Sequence, residues 1–241
     1  MISNPERKKN IALLLDPDKV TDKSIESTVA SAGSSNADYI FVGGSLTFTD
    51  PAELIDRIKE KTDIPVILFP GNLLQLNDRA DRIMLLSLIS GRNPELLVGN
   101  HVIAAPFLKK IKSRVIPVGY ILVNCGERTS VEYMSQTDSI PSGKTDIAVA
   151  TALAGEMLGL KVIYLEAGSG ADNHVPLNMI SQVRENIDIP LIVGGGIRSG
   201  DAAREIFNAG ADIIVLGNGC EENSKLLAEA CKVRDSFNKI Q

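Results

Sequence analysis

Residues 161–170 read KVIYLEAGSG, an apolar run that meets a glutamate and then a loop of small residues. A nearly continuous apolar run is typical of a parallel strand that is covered on both faces. Tyr164 and Glu166 are two residues apart, so they point to the same side of such a strand. A carboxylate at the end of a buried strand is costly unless it has a partner or a task. The stretch therefore predicts a parallel strand with a functional or paired carboxylate at its end.

Apolar runs of strand length recur along the whole chain, and helical patterns lie between them. The runs are IALLLD (11–16), YIFVGG (39–44), VILFP (66–70), IMLLSLIS (83–90), PVGYILVN (117–124), VIYLEAG (162–168), LIVGGGI (191–197) and IIVLGNG (213–219). Eight strands alternating with helices over residues 1–241 predict an α/β protein with a single (β/α)8 TIM-barrel domain. A doubly wound open sheet has the same periodicity, so the pattern alone leaves both architectures open.

Capping residues and apolar spacing indicate where several helices lie. Asp50-Pro51 and Asn93-Pro94 each place a capping side chain before a proline, as at a helix start. Pro106 predicts a kink or the end of the second of these helices. Three later helices are indicated by apolar residues at helical spacing. These residues are Leu177, Ile180, Val183 and Ile187; then Ala203, Ile206 and Phe207, with Gly210 as a C-terminal cap; then Leu226, Ala230, Val233, Phe237 and Ile240.

The third βα unit departs from this pattern. Only GNLLQLNDRADR (71–82) separates the third and fourth predicted strands, which is short for two loops and a full helix. We therefore expect the third helix to be truncated or replaced by a loop. Its absence would open a gap in the outer ring of helices, where a long ligand could lie.

Composition and charge disfavour several classes of function. The net charge of −5 argues against nucleic acid as the main partner, although backbone N–H groups can still bind small phosphorylated ligands. Two histidines without a His/Cys cluster disfavour a zinc site. Three cysteines without CxxC spacing and no signal peptide predict free thiols in a reducing cytoplasm. No apolar run reaches the roughly 18 residues of a transmembrane helix.

Glycine-rich loops follow the seventh and eighth predicted strands. They read GGGIRSG (194–200) and GNG (217–219). Glycines let the backbone approach a ligand closely, and backbone N–H groups there suit an anion. Tight βα turns also use glycine, but paired loops at these two places form the common phosphate site of barrels. Phosphate binding is the favoured interpretation.

Two carboxylates lie at predicted strand ends, where barrels carry their active sites. Glu166 would be a general base or bind a hydroxyl group, unless a neighbouring cation pairs with it structurally. Asp16 ends the first predicted strand and could hold Mg²⁺, which prefers oxygen ligands, whereas Asp18 better suits a turn or helix cap. Ser45 or Thr47 could contact metal or phosphate, or begin a turn.

The remaining polar residues near strand ends have no assigned role. Asn72, Asn124 and Arg128 follow predicted strands, but their spacing indicates no function. His101 lies within a predicted helix, which favours a structural role. Cys125 lies at a strand end, and no nearby base makes it a nucleophile.

Taken together, these segments resemble the geranylgeranylglyceryl phosphate synthase family and its bacterial PcrB-type relatives. The similarity is greatest to the branch found in many archaea and some Bacteroidetes-like bacteria. YLEAGSGA combined with DPDK is more specific than the glycine loops, which many phosphate-binding barrels share. The matching pieces span almost the whole chain in order: LLLDPDK (13–19), FVGGS (41–45), NPELLVGNH (93–101), YLEAGSGA (164–171), VGGGIRS (193–199) and VLGN (215–218).

The resemblance implies a modified barrel without a proper third helix, and a Mg²⁺-dependent prenyltransferase. In that reaction the 3-hydroxyl of sn-glycerol 1-phosphate attacks C1 of a polyprenyl diphosphate, expected to be geranylgeranyl diphosphate. The products are an ether-lipid precursor and diphosphate. Glu166 and Tyr164 would be the catalytic pair, with Glu166 orienting the acceptor and serving as its base.

The resemblance also implies the ligand contacts, position by position. Asp16 and Ser45 would contact Mg²⁺. Some bacterial relatives carry a lysine two residues before this aspartate, where this chain has Leu14, so that basic contact is absent here. The glycerol phosphate site would consist of Tyr164, Leu165, Glu166, Ala167, Gly168, Ser169 and Gly170, with Gly195, Gly196, Gly217 and Asn218 completing its phosphate cradle.

Two other functions fit parts of the sequence. An isomerase or lyase acting on a phosphorylated metabolite would explain the glycine loops equally well, but not DPDK, YLEAGSGA or the short third unit. A catalytically silent phosphate-binding or assembly protein is disfavoured by the intact Asp16, Ser45, Tyr164 and Glu166. For the synthase, we expect a cytoplasmic homo-oligomer, dimer or hexamer, with transient contact at a membrane surface.

Overall fold

The structure, a computed structural model, describes residues 8–239, apart from the side chains of residues 22–23, 112–114 and 221–222. Ile240, assigned from the sequence to the last helix, lies outside the described residues. The strands are β1 (Asn10–Leu15), β2 (Tyr39–Val42), β3 (Val66–Leu68), β4 (Arg82–Leu88), β5 (Val115–Asn124), β6 (Ile140–Pro141), β7 (Val162–Glu166), β8 (Leu191–Gly194) and β9 (Ile213–Leu216). The α-helices are α1 (Asp22–Ser34), α2 (Pro51–Lys59), α3 (Asn100–Leu108), α4 (Ser130–Ser135), α5 (Thr145–Met157), α6 (Leu177–Asn186), α7 (Gly200–Asn208), α8 (Asn218–Glu222) and α9 (Leu226–Asn238).

All strands except the short β6 close into one parallel barrel. The sheet order is β4-β3-β2-β1-β9-β8-β7-β5, and pairing between β4 and β5 closes the ring. This closure confirms the barrel and excludes the open sheet. The β6 strand, which pairs with the end of β5 through Val123 and Ile140, was not predicted, because two residues are too few to show a periodicity.

Alternate side chains of each strand enter two separate apolar layers. On β7, Val162 and Tyr164 point into the barrel, whereas Ile163 and Leu165 pack among the helices. Burial on both faces is the physical reason for the nearly continuous apolar runs. The same alternation directs the Glu166 side chain to the barrel interior.

Strands β7, β8 and β9 end two or three residues earlier than the apolar and glycine runs predict. Gly168 and Gly195 have φ angles of +106° and +85°, which lie outside the extended conformation of a strand. The backbone therefore turns at the glycines, directly after Glu166 in the case of β7.

The third barrel unit has no α-helix, which confirms the sequence prediction. A single turn of 3₁₀-helix, Leu73–Gln75, lies between β3 and β4. Two other helix predictions are also confirmed: Asp50 caps α2 through the Ala52 N–H at 2.9 Å, and α3 ends two residues after Pro106. Among the described residues, no helix is both long and apolar enough to cross a membrane.

Candidate active site

A cavity of about 260 Å³ opens at the C-terminal ends of the barrel strands. The loops after β1, β2, β7, β8 and β9 form most of its wall, which is where barrels place catalytic groups. The structure brings most of the sequence-predicted site residues together here. They are Asp16, Ser45, Tyr164, Glu166, Gly168, Ser169, Gly170, Gly195, Gly196, Gly217 and Asn218.

Glu166 lies on the floor of this cavity and is only 6% exposed. Its Oε1 accepts a hydrogen bond from the Gly168 N–H at 2.7 Å. Burial raises the pKa of Glu166, and the Gly168 N–H and the nearby hydroxyls of Tyr164 and Tyr120 partly offset that effect. A carboxylate with a raised pKa in a cleft is a candidate proton acceptor.

The environment of Glu166 differs from that of the other buried charged side chains in the described part of the chain. Those side chains have structural partners: Asp212 pairs with Arg184, Arg234 pairs with Asp38, and Glu132 caps α4. Among the side chains that the structure describes, no lysine, arginine or histidine forms an ion pair with Glu166. Structural pairing with a cation therefore does not explain its position.

Tyr164 belongs to an aromatic cluster beside Glu166. Its ring stacks on Phe69 at a centroid distance of 5.5 Å and meets Tyr120 edge-on at 5.2 Å. The Tyr164 hydroxyl is buried and makes no hydrogen bond of ordinary geometry within the described residues. It lies over Gly194, where a Cβ atom would come within 2.3 Å of the Tyr164 Oη. This leaves a fixed hydroxyl beside Glu166 that can bind a ligand hydroxyl group.

Glycine at position 195 brings the loop after β8 against the carboxylate. A Cβ atom there would lie 2.7 Å from Glu166 Oε1 and 2.8 Å from the Gly168 nitrogen, and the φ of +85° also favours glycine. The loops after β7 and β8 therefore approach each other as bare backbone. Bare backbone of this kind in the wall of a cavity is suited to bind an anionic phosphate through N–H groups.

The loops after β1, β7 and β9 meet at the other side of this cradle. The Asn218 Nδ2 donates to Ser169 Oγ at 3.4 Å, and Lys19 Nζ donates to Asn218 Oδ1 at 2.9 Å. Lys19 therefore places a positive charge at the rim of the glycine loops. Backbone donors and one ammonium group together suit a phosphate monoester.

Asp16 and Ser45 form the oxygen-rich corner of the cavity. A Cβ atom at Gly44 would lie 3.3 Å from Asp16 Oδ1, so the turn that carries Ser45 runs beside this carboxylate. Asp16 Oδ1 also accepts the Asp18 N–H at 3.1 Å. No group of three or more metal-binding side chains occurs within the described residues. One carboxylate and one hydroxyl fit Mg²⁺, which keeps waters and binds through substrate phosphates.

A second cavity of about 250 Å³ adjoins the first, beside the turn that replaces the third helix. Its wall is mostly apolar and includes Phe69, Leu73, Leu76, Met84, Leu85, Leu86, Leu88, Leu96, Val131 and Met134. Gly44, Ser45, Phe69 and Tyr120 line both cavities. An apolar ligand in this groove would therefore have its end beside Asp16, Ser45 and the floor of the first cavity.

Comparison with known proteins identifies the family to which this chain belongs. A model of the PcrB family matches residues 4–234. The chain belongs to the PcrB family. This assignment agrees with the resemblance to PcrB-type proteins that the sequence motifs indicate.

Individual PcrB-type relatives are similar over nearly their whole length. A geranylgeranylglyceryl phosphate synthase from Spirosoma linguale is 49% identical and covers 96% of this chain and 94% of the relative. One from Methanosphaera stadtmanae is 41% identical, and the match covers 95% of this chain and 89% of the relative. A similar solved structure is the crystal structure of (S)-3-O-geranylgeranylglyceryl phosphate synthase from Thermoplasma acidophilum in complex with the substrate sn-glycerol-1-phosphate. Its sequence is 34% identical and its TM-score is 0.89, and the match covers 96% of this chain and 95% of that chain.

Two residues assigned to the PcrB glycerol phosphate site do not line the cavity. The side chains of Leu165 and Ala167 are buried in the layer between barrel and helices, because strand alternation turns them away from Glu166. Ala167 contributes instead to the barrel, where its N–H donates to the Gly194 carbonyl at 2.9 Å. Their assignment to the glycerol phosphate site stays a prediction, which backbone contacts alone would have to meet.

Three residues of this PcrB site are not among those predicted from the sequence. Lys19 belongs to the DPDK motif, and Phe69 and Tyr120 lie within the apolar runs of predicted strands. The register pairs Tyr120 with Tyr164 across β5 and β7, 44 residues apart in the chain. A tyrosine within an apolar run was the available sequence signal for Tyr120. Its partner, Tyr164, is identified only by the pairing of β5 with β7.

The remaining assignments divide between structural and functional positions. Asp18 is structural: its carboxylate accepts the N–H groups of Phe48 and Thr49 at 2.9 and 2.8 Å. Ser45, unlike Thr47, lines both cavities. His101 lies in the apolar groove, where its Nε2 is 2.9 Å from Ser87 Oγ, and burial lowers its pKa, which favours the neutral ring.

The thiols match the sequence prediction. None of the three cysteines forms a disulfide bond. Burial and the nearby Glu166 raise the pKa of the Cys125 thiol to about 12. A thiol with this pKa is protonated near neutral pH, so Cys125 is a poor nucleophile.

Proposed function

We propose that this chain is a geranylgeranylglyceryl phosphate synthase. It joins the 3-hydroxyl of sn-glycerol 1-phosphate to C1 of a polyprenyl diphosphate, and geranylgeranyl diphosphate is the expected donor. The observation that carries the proposal is Glu166, a buried carboxylate without a cationic partner in the described residues, between a glycine cradle and an apolar groove. The relatives of the same name and the substrate complex from Thermoplasma acidophilum support it.

The first cavity would hold the acceptor. Backbone N–H groups of the glycine loops and the Lys19 ammonium would bind its phosphate. The Tyr164 hydroxyl and the Glu166 carboxylate would bind the glycerol hydroxyls, because both lie on the same face of β7. Glu166 then accepts the proton of the 3-hydroxyl as its oxygen bonds to C1.

The groove would hold the donor, with its prenyl chain against the apolar wall and its diphosphate at Asp16 and Ser45. Each buried CH₂ group of the chain contributes about 0.8 kcal/mol. As the C1–O bond breaks, its electron pair leaves with diphosphate, and the Phe69 and Tyr120 rings face the positive charge that develops at C1. Mg²⁺, when bound, neutralises charge on the leaving diphosphate.

The adjoining groove favours this function over the isomerase or lyase interpretation. A small phosphorylated metabolite would occupy only the glycine cradle, and it would leave an apolar cavity of about 250 Å³ without a ligand. The prenyl donor uses both cavities and places its reactive carbon at the boundary they share.

The decisive assay combines the purified protein with Mg²⁺, geranylgeranyl diphosphate and one of two acceptors. The acceptors are sn-glycerol 1-phosphate and its 3-phosphate enantiomer, and mass spectrometry measures the ether-linked product. We expect product with the 1-phosphate and little with the enantiomer. Absence of product with both acceptors, and with shorter and longer prenyl donors, would contradict the proposed function.

Substituting Lys19 by methionine should weaken acceptor binding. Lys19 is exposed and bonded to Asn218 at the rim of the cradle, so we expect KM for sn-glycerol 1-phosphate to rise about three- to tenfold. The KM for the prenyl donor should change little. Steady-state kinetics with Lys232→Met, an exposed lysine on α9, provide the control, and equal acceptor KM values in the two variants would refute this role.

We further propose that the rim of the groove contacts a membrane surface transiently. Phe48 and Leu74 are 89% and 96% exposed and lie on the loops after β2 and β3. These loops are joined by a hydrogen bond from Gln75 Nε2 to the Gly44 carbonyl at 3.0 Å. Asp18 holds the Phe48 backbone, so its ring is presented outwards beside the groove that receives a lipid chain.

The rim can be tested with Phe48→Ser/Leu74→Ser and neutral phosphatidylcholine vesicles. Flotation should show about a thirtyfold loss of vesicle binding, since partial burial of each of the two side chains contributes about 1 kcal/mol. Met157→Ser/Leu158→Ser is the matched control, because that pair is also exposed, at 83% and 77%, but lies at the opposite end of the barrel. Equal vesicle binding by both double variants would contradict the rim proposal.

Location and assembly complete the proposal. Three cysteines without a disulfide bond fit a reducing cytoplasm, so we propose a cytoplasmic enzyme that meets its lipid substrate at the membrane surface. We also propose a homo-oligomer, dimer or hexamer. Sedimentation equilibrium of the purified protein would measure its subunit number, and a monomer at all concentrations would refute the oligomer.

A further inference from the structure

We propose that Gln75 is a positioning residue for the diphosphate-binding corner of the active site. Resting on the proposed function, the inference is that the Gln75 side-chain amide fixes the Gly44–Ser45 turn and so holds the Ser45 hydroxyl beside Asp16. Gln75 would touch neither substrate. Its effect would pass through the backbone of the loop after β2.

The side chain of Gln75 is buried and uses both ends of its amide. It is 4% exposed. Its Nε2 donates to the Gly44 carbonyl at 3.0 Å, and its Oε1 accepts the Gly71 N–H at 2.9 Å. One side chain therefore links the loop after β2 to the loop after β3. Removing the amide would leave the Gly71 N–H and the partly buried Gly44 carbonyl without this partner, which is unfavourable.

These two loops are in direct backbone contact at the same place. A Cβ atom at Gly71 would lie 2.3 Å from the Gly44 carbonyl oxygen and 2.9 Å from the Ser45 Cα. Such close contact defines how far apart the loops lie, but it does not fix the orientation of the Gly44 peptide. The hydrogen bond from Gln75 fixes that orientation.

The absence of the third helix explains why a side chain is needed here. In the other barrel units a helix packs behind the loops, whereas this unit has only the 3₁₀ turn Leu73–Gln75. Gln75 is the last residue of that turn, and it points inwards while Leu74 is exposed. The short turn thus keeps the groove open and still supports the loop that carries Ser45.

The position of Ser45 gives Gln75 a selective effect on one substrate. Gly44 and Ser45 line both cavities, at the boundary where the diphosphate would lie. The glycine cradle is built from the loops after β7, β8 and β9, whereas the two hydrogen bonds of the Gln75 amide go to the loops after β2 and β3. Loss of the Gln75 amide should therefore weaken binding of diphosphate and the prenyl donor, while binding of the acceptor stays the same.

The first test uses Gln75→Leu, which keeps the approximate size of the side chain and removes both hydrogen bonds. Titration calorimetry with inorganic diphosphate and Mg²⁺ should show Kd raised about tenfold. The KM for the prenyl donor should rise similarly, and the KM for sn-glycerol 1-phosphate should stay within about twofold. The control is Asn77→Ala, because Asn77 bonds to the Gln75 carbonyl and the Arg79 N–H in the same loop, but not to Gly44.

Gln75→Glu provides a second readout that does not depend on Gln75→Leu folding. Ionised, this side chain can still accept the Gly71 N–H but cannot donate to the Gly44 carbonyl; protonated, it can do both. The ratio of variant to wild-type kcat/KM for the prenyl donor should therefore rise as pH falls. Taking the ratio removes the titration of Glu166, which both enzymes share.

Several outcomes would overturn the proposal. They are wild-type diphosphate affinity in a folded Gln75→Leu variant, equal losses in Gln75→Leu and Asn77→Ala, and a Gln75→Glu ratio that is independent of pH. Far-ultraviolet circular dichroism and Tm establish which variants are folded. Wild-type enzyme that forms no product with any prenyl donor would instead contradict the proposed function, so the two failures are distinguishable.

Discussion

Glu166→Gln should lower kcat/KM for sn-glycerol 1-phosphate by about 10²- to 10⁴-fold, the range expected for loss of a general base. Glutamine keeps the shape of the side chain and can still accept the Gly168 N–H, which Glu166 Oε1 accepts at 2.7 Å. It cannot accept the proton of the attacking hydroxyl. The KM for the prenyl donor should change much less, because Glu166 lines the first cavity and not the groove.

The pH profile gives Glu166 a signature that a structural role would not produce. Burial raises the pKa of Glu166, and only the ionised carboxylate can accept a proton. Wild-type activity should therefore fall as pH decreases through a pKa above the ordinary glutamate value, and Glu166→Gln should lack this limb. Glu156→Gln is the control, because its Oε1 accepts the N–H groups of Asp188 and Ile189 at the opposite end of the barrel. Near-wild-type kcat/KM in Glu166→Gln would show that the base assignment is wrong.

Asp16→Asn should lower kcat/KM for the prenyl donor by about 10²- to 10³-fold, because a metal contact supplies several kcal/mol of charge stabilisation. The Mg²⁺ concentration that gives half-maximal activity should rise more than about tenfold. Asparagine can still accept the Asp18 N–H, which Asp16 Oδ1 accepts at 3.1 Å, so Tm should change little.

Asp18→Asn separates metal binding from loop structure. Asp18 is two residues from Asp16 and accepts the N–H groups of Phe48 and Thr49, and these bonds lower its pKa. We expect Asp18→Asn to keep the wild-type response to Mg²⁺. If Asp16→Asn also keeps both its Mg²⁺ requirement and its affinity for the prenyl donor, Asp16 is not a metal contact.

The architecture was predictable because its signals are local. An apolar run shows burial on both faces, and the 12 residues of GNLLQLNDRADR (71–82) show by their number alone that a helix is missing. Strand ends were less predictable, since a glycine can either continue a strand or turn the chain. At Gly168 and Gly195 the backbone turns, with φ angles of +106° and +85°, and the strands end sooner than their apolar runs.

The candidate site was predictable where its chemistry lies at a strand end. Glu166, Asp16 and the glycine loops follow from that rule, and the structure brings them to one cavity. Leu165 and Ala167 were assigned through a contiguous motif, but adjacent strand residues face opposite sides. Their side chains therefore lie in the outer core.

By itself, the sequence determined the order of strands and helices, the missing third helix and the carboxylates and glycines at strand ends. These depend on periodicity and spacing over a few residues. Only the tertiary structure decided that the sheet closes through β4 and β5, that Lys19 bonds to Asn218 across 199 residues of chain, and that Gln75 supports Gly44. Such contacts join residues far apart in sequence, and their geometry exists only once the barrel has closed.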